Sequence, residues 1–152
     1  MGGDAKKYFR SSERRFPLVY RGKHFSVSHS GAITVLAVAD VPIGVDVEQG
    51  LTQVACADLA WAWSECESLE LLRRFGDGRL ATEIWTAKEA ASKACGVGLR
   101  AMPATIATSG SPLAPSHRTI LVPSNFGGDV YLDSHGVWWG ESHVRVAWIL
   151  EY

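Results

Sequence analysis

Ile33-Thr34-Val35-Leu36-Ala37-Val38-Ala39, Asp40-Val41-Pro42 and Ile43-Gly44-Val45-Asp46-Val47-Glu48 form the stretch on which the fold turns. The first run is rich in β-branched and apolar residues and predicts a strand; Asp-Val-Pro breaks it, and the last run predicts a second strand. Just upstream, Phe25-Ser26-Val27-Ser28 alternates and Ser30-Gly31 reads as a turn. Three strands are therefore expected as an antiparallel meander. Downstream the period changes. Residues 54–75 hold Leu59, Trp63, Leu69, Leu72 and Phe75 at helical spacing, closed by Gly76-Asp77-Gly78. A second helix over residues 80–95 would bury Leu80, Ile84, Trp85, Ala87, Ala91 and Ala94 and stop at Gly96 and Gly98. Residues 103–115 read as a loop with Ser109-Gly110-Ser111-Pro112 as its turn, and strands follow over 119–123, 129–133 and 144–150. Strands, then helices, then strands argue for an α+β fold, an antiparallel sheet with two packed helices, rather than a parallel βαβ sheet.

The whole chain suits one such domain. It has 152 residues, 47% of them hydrophobic and 20% charged, which excludes a disordered chain and a coiled coil. A formal net charge of −1 gives no global reason to expect nucleic acid. Charge is uneven, however. Residues 1–23 carry Lys6, Lys7, Arg10, Arg14, Arg15, Arg21 and Lys23 against Asp4 and Glu13, and form a basic N-terminal arm ahead of a domain over 24–152. Such an arm is a solvated terminus or a lure for phosphate and acidic partners. Cys56, Cys66 and Cys95 are odd in number and include no CxxC, so neither a disulfide framework nor a zinc site is expected. Free thiols, a charged start without an apolar core and no long apolar run predict a cytoplasmic protein with no membrane partner.

Three local patterns carry chemistry. Asp46 and Glu48 lie two apart on a strand and so share a face, with Val45 and Val47 opposite. Two carboxylates on one face repel; a hard cation such as Mg²⁺ would offset this, and so would a solvated edge. Lys88-Glu89 and Lys93 fall inside the second helix, where Glu89 and Lys93 at i, i+4 also suit an ordinary surface ion pair. Ser28-His29-Ser30-Gly31 ends a strand, where a histidine between hydroxyls can hold a phosphate or satisfy turn backbone groups.

Taken together and in order, these segments resemble the 4′-phosphopantetheinyl transferase superfamily. Ser28-His29-Ser30-Gly31 precedes Gly44-Val45-Asp46-Val47-Glu48, which precedes Trp85-Thr86-Ala87-Lys88-Glu89-Ala90-Ala91-Ser92-Lys93 and Gly96-Val97-Gly98-Leu99. The likeness covers residues 24–100 closely and the C-terminal strands loosely, and it is to the surfactin-synthetase-activating type, shortened at the N-terminus to a half-fold. It implies transfer of the phosphopantetheine arm of coenzyme A to a serine of an acyl or peptidyl carrier protein, releasing adenosine 3′,5′-bisphosphate. By residue match, Asp46, Glu48 and Glu89 would hold Mg²⁺, and Glu89 would help deprotonate the carrier serine. Lys88 and Lys93 would meet phosphate oxygens, with Lys88 beside the leaving group. Ser28 and His29 would touch the 3′-phosphate of coenzyme A. Glu67 falls near a further family acid.

The resemblance also sets an expectation about assembly. Longer members have two similar halves around one site, and here only a short arm precedes the Ser-His-Ser-Gly segment, with Arg14-Arg15-Phe16-Pro17 as the nearest match to an upstream basic-proline turn. A homo-oligomer would supply the second half. The alternatives are a divergent protein with another reaction on coenzyme A or carrier-bound thioesters, and a protein that only binds them.

Overall fold

A computed structural model describes residues 18–74, 77–97, 103–111, 114–123 and 129–150. The fold is α+β, with two antiparallel sheets and three helices. Strands β1 (Leu18–Tyr20), β2 (Lys23–Ser30) and β3 (Ile33–Ala39) form the first sheet in that order. Ser30 pairs with Ile33 across a two-residue turn, and Gly31 takes the positive φ of 57° that this turn needs. Strand β1 falls within the stretch read as a basic arm.

The expected three-strand meander stops at two of its strands. Strand β4 (Ile43–Gln49) leaves β3 and enters a second sheet, pairing with β8 (Ser142–Ile149). The second sheet continues through β7 (Val130–Trp139) and β6 (Ala114–Val122) to β5 (Ala107–Ser111), in the order β4-β8-β7-β6-β5. Pro42 has no N–H to give a ladder with β3, and the five residues Ile43 to Val47 are all buried, as suits a strand covered on both faces. The free edge of β4 is stitched to β2 by side chains instead of a ladder: Val45 N–H donates to Ser26 Oγ at 3.0 Å and Gln49 N–H to Ser30 Oγ at 3.4 Å. Strand β5 replaces the expected loop and turn around Ser109-Gly110-Ser111; Pro112 of that turn lies outside the described residues.

The helix expected over 54–75 is two helices. Helix α1 spans Gln53–Asp58, a 3₁₀ turn follows at Ala60–Ala62, and α2 spans Glu65–Arg73. Trp63 is extended (φ −88°, ψ 137°), and Ser64 then restarts the helix with a capping box in which Ser64 and Glu67 bond each other's backbone N–H. Leu72 consequently stands exposed, and Phe75 and Gly76 lie outside the described residues. Asp77 does not end this segment but caps α3 (Gly78–Ala94), its carboxylate accepting from the N–H groups of Arg79 and Leu80. Helix α3 ends as expected at Gly96, whose φ of 71° lets Val97 N–H reach Ser92 O and Gly96 N–H reach Lys93 O. Gly98 lies outside the described residues.

Helix α3 lies across the second sheet on Ala87, Ala90, Ala91 and Ala94, which pack with Ile106, Ile120, Val122, Leu132 and Ala147. Gly44 makes this approach close. A Cβ there would stand 2.6 Å from the backbone nitrogen of Ala94 and 2.9 Å from the carbonyl carbon of Ala90. The first sheet covers the other face of β4 and β8 through Val35, Ala37, Ile43, Val45, Val144 and Val146. Strand β4 is thus held between α3 and β2, which fixes where its polar side chains can go.

Candidate active site

Asp46 and Glu48 project from β4 on the face shared with Gly44, toward α3. Asp46 is only 3% exposed, and its Oδ1 is held on two sides: Ser28 Oγ donates from β2 at 2.8 Å and Lys93 Nζ donates from α3 at 2.7 Å. The same ammonium reaches Ser28 Oγ at 3.0 Å and Val45 O at 3.1 Å. Lys93 therefore makes its ion pair across to the strand, not along its own helix. Glu48 accepts from Ser30 Oγ at 3.3 Å and from the Trp85 side chain. Trp85 in turn meets Trp61 and Trp63 edge to face, with ring centroids 6.4 and 6.3 Å away.

The three carboxylates push on one another. The Glu89 carboxyl is lifted to about 7, first by burial, then by the charge of Asp46 and, less, of Glu48, with Lys93 opposing. Glu48 is also raised, first by burial and then by Asp46, with Ser30, Lys93 and Trp85 working the other way. Asp46 Oδ2 is buried and has no hydrogen-bond partner. A buried orphan oxygen beside two carboxyls that resist ionising is what a hard cation relieves, so the donor set fits Mg²⁺. Among the described residues no three acidic, histidine or cysteine side chains already form a metal cage. Mg²⁺ does not require one, because it keeps waters and takes substrate phosphates beside one or two carboxylates.

Of the remaining expected residues, Ser28 belongs to the Asp46–Lys93 cluster. His29, one step along β2, is exposed and alternates to the opposite face of that strand. Lys88 is elsewhere. Its ammonium, 1% exposed, lies 2.5 Å from Glu67 Oε2 and donates to Ala62 O at 2.7 Å and Pro103 O at 2.8 Å. Burial draws the Lys88 amine down while Glu67 holds it up. Glu67, also buried, completes its own set with Ser64 N–H and Thr108 Oγ1.

Asp46, Glu48, Lys88, Glu89 and Lys93 lie inside the part of the chain that a family profile recognises, and Ser28 and Ser30 precede it: the 4′-phosphopantetheinyl transferase superfamily matches over residues 42–125. The chain belongs to that superfamily. It is 30% identical over 93 residues to the 4′-phosphopantetheinyl transferase gsp of Aneurinibacillus migulanus, a match that covers 60% of this chain and 39% of the relative. The chain thus spans about two fifths of the length of that transferase. Its fold is similar to the holo-[acyl-carrier-protein] synthase of Helicobacter pylori solved with coenzyme A, with a TM-score of 0.56 at 18% identity over 71% of this chain and 99% of that one.

One polar cluster of this phosphopantetheinyl-transferase-type domain escaped the sequence reading. Beneath α3, on the strand beside β4, where Arg145 stands opposite Asp46 and His143 opposite Glu48 in the ladder, His143 and Arg145 of β8 are buried with Arg118 and Ser134. Arg145 Nη1 donates to Ser134 Oγ at 3.0 Å, Thr86 Oγ1 and His143 Nδ1 share a 2.7 Å hydrogen bond, and Trp138 Nε1 donates to Glu83 at 2.9 Å. Burial and the neighbouring arginines drive His143 down to about 3, so it stays neutral. The signal was present as alternation, since His143, Arg145 and Ala147 share one face. Val144, Val146 and Trp148 outshone it as the apolar set.

Proposed function

We propose that this chain transfers the 4′-phosphopantetheine arm of coenzyme A to a serine of an acyl or peptidyl carrier protein, with Mg²⁺ as cofactor. The observation that carries the reading is the convergence of Asp46, Glu48 and Glu89 around Lys93, with the inner oxygen of Asp46 left unpartnered in the protein interior. Phosphoryl transfer needs positioning and charge neutralisation more than covalent help, and this cluster supplies both kinds of group. Asp46, Glu48 and Glu89 would be the metal ligands. The bound ion would neutralise pyrophosphate charge and draw its oxygens into line for displacement. Ser28 and Lys93 fix Asp46 Oδ1, so its second oxygen faces a single direction. Lys93 also offers its ammonium to the phosphate oxygens that arrive there. Glu89, in the same cluster, is our candidate to take the proton of the carrier serine, directly or through water. The serine oxygen bonds to the pyrophosphate phosphorus that carries the pantetheine arm. The bond from that phosphorus to the bridging oxygen breaks, and adenosine 3′,5′-bisphosphate leaves with the electron pair. Ser28 and His29, at the end of β2, remain our candidates for the 3′-phosphate, with His29 the exposed member and Ser28 Oγ already bonded to Asp46 and Lys93.

The test is to incubate the chain with coenzyme A, Mg²⁺ and a panel of apo acyl and peptidyl carrier proteins, then weigh each carrier intact. Mass gain of one phosphopantetheine supports the reading; no gain across the panel, from folded protein, rejects it. As part of the same reading we take the working form to be a homo-oligomer in the cytoplasm. The free state of Cys56, Cys66 and Cys95 suits a reducing compartment.

A further inference from the structure

Lys88 and Glu89 are consecutive on α3, yet their surroundings divide sharply. Glu89 faces Asp46, Glu48 and Lys93, whereas Lys88 is enclosed by groups from three other segments. An ammonium has three protons to donate. Lys88 places them on Glu67 of α2, on Ala62 O of the 3₁₀ turn before α2 and on Pro103 O of the Pro103–Thr105 turn after α3. Glu67 is as fully engaged, with the α2 cap on Oε2 and Thr108 of β5 on Oε1. Nothing is left over for a phosphate. Turning Lys88 outward would strand the Glu67 carboxylate, 3% exposed, without its counter-charge, which is among the costlier changes a protein interior can suffer.

We propose that Lys88 is a positioning residue: with Glu67 it pins α3 to the Ala60–Ala62 turn, to the start of α2 and to the Pro103–Thr105 turn, thereby setting where Glu89 stands, and it makes no contact with coenzyme A. The inference rests on the transfer reaction proposed above. Successive residues of a helix stand about 100° apart, so a helix whose Lys88 is fixed in three directions cannot rotate Glu89 away from Asp46. Lys93 has its donors engaged as well, but its side chain is 16% exposed against 1% for Lys88 and its partners belong to the carboxylate cluster itself, so it is the cation that α3 offers to phosphate.

The unmodified chain, K88M, E67Q, K88R and the K88M/E67Q double variant test this by calorimetric binding of coenzyme A and by steady-state transfer, with urea unfolding to confirm that each is folded. K88M and E67Q should each keep the coenzyme A dissociation constant within about threefold and lose about tenfold or more in kcat. The double variant should lose no more than either single one, because both remove the same clamp. K88R, which keeps the charge, should recover part of kcat. A tenfold weaker coenzyme A complex in K88M with an unaffected E67Q would make Lys88 a phosphate contact and overturn the proposal. So would K88M or E67Q with kcat unchanged. Should K88M fail to fold, near-isosteric E67Q alone decides: the clamp requires a lower kcat at unchanged affinity, a phosphate contact requires neither. Transfer by the unmodified chain is measured first. Its absence rejects the reaction and the clamp with it, whereas a transferring wild type beside a K88M chain impaired in coenzyme A binding rejects the clamp alone.

Discussion

Glu89 concentrates the electrostatics of this site in one side chain. Its carboxyl is lifted to about 7, above the ordinary 4.5, chiefly by burial and then by Asp46. Between these two values the folded chain holds a proton that the unfolded chain has lost, so metal-free stability is greatest below about pH 4.5 as far as Glu89 is concerned and falls as pH rises through 7. Glu48 shifts in the same direction and widens the effect. We expect the metal-free protein to gain about 1–2 kcal/mol between pH 7.5 and pH 5.5 from these groups, an amount discounted for the water that still reaches them. Glu89→Gln should remove most of this slope, raise the metal-free Tm at pH 7.5 and lower transfer by about 100-fold or more. Thermal melts against pH and a carrier-loading assay check the two halves separately; a slope that survives in the variant would place the titration elsewhere. The members of this cluster were legible because local periodicity generates them. Asp46 and Glu48 share a face at period two, and Glu89 and Lys93 share one at i, i+4. That Lys93 pairs with Asp46 and Lys88 with Glu67 was not legible. Those partners are 47 and 21 positions apart and meet only through the packing of separate elements.

At the scale of elements, β4 decides the geometry, and its glycine and its serine neighbours are its weak points. Gly44→Ala would drive a methyl into the backbone of α3 at Ala90 and Ala94, and backbone cannot turn aside as a side chain can. We expect about 3 kcal/mol lost in urea unfolding, with α3 displaced and transfer reduced in whatever remains folded. Ser26→Ala acts on the other edge. It leaves the buried Val45 N–H without its acceptor, a loss of about 1–3 kcal/mol, and loosens β2 from β4. A Ser26→Ala chain as stable as wild type would mean that the two sheets do not depend on this stitch. Helix α3 was read well, since its alanine face and its glycine stop are strong local signals. The break in 54–75 was written in Ser64-Glu-Cys-Glu67, a capping box, but Leu59, Trp63, Leu69 and Leu72 kept a helical spacing across it and masked the restart. Strand β5 was missed because Ser109-Gly110-Ser111 is turn chemistry; Gly110 instead lies against the Arg118 guanidinium, where a Cβ would come within 3.3 Å. The exit of β4 to a second sheet had no sequence signal beyond Pro42, because its partner, β8, ends the described chain about a hundred residues later.

At the scale of the whole molecule, the two sheets differ in what covers them. The second sheet is closed by α3 on one face and, along β4 and β8, by the first sheet on the other. The first sheet turns Val35, Ala37 and Ala39 inward, and the alternate residues Leu36 and Val38 therefore point out, 56% and 49% exposed. Phe25 and Val27 of β2 lie opposite them in the ladder and are half-buried on the same outer face. Tyr20 of β1 extends it. Contiguous apolar surface of this kind favours association, and the homo-oligomer we propose would cover it. Leu36→Lys with Val38→Lys should then convert the oligomer into a 16.5 kDa monomer in sedimentation velocity without unfolding it, because both side chains point away from the core between the sheets. The carboxylate cluster lies on the inner side, at Ser28, so the double variant also separates assembly from chemistry: if a second copy completes the site, transfer falls together with the sedimentation coefficient and recovers at high protein concentration. A wild-type chain that already sediments as a monomer at working concentration would remove the oligomer from the proposed function and leave the outer face to another partner.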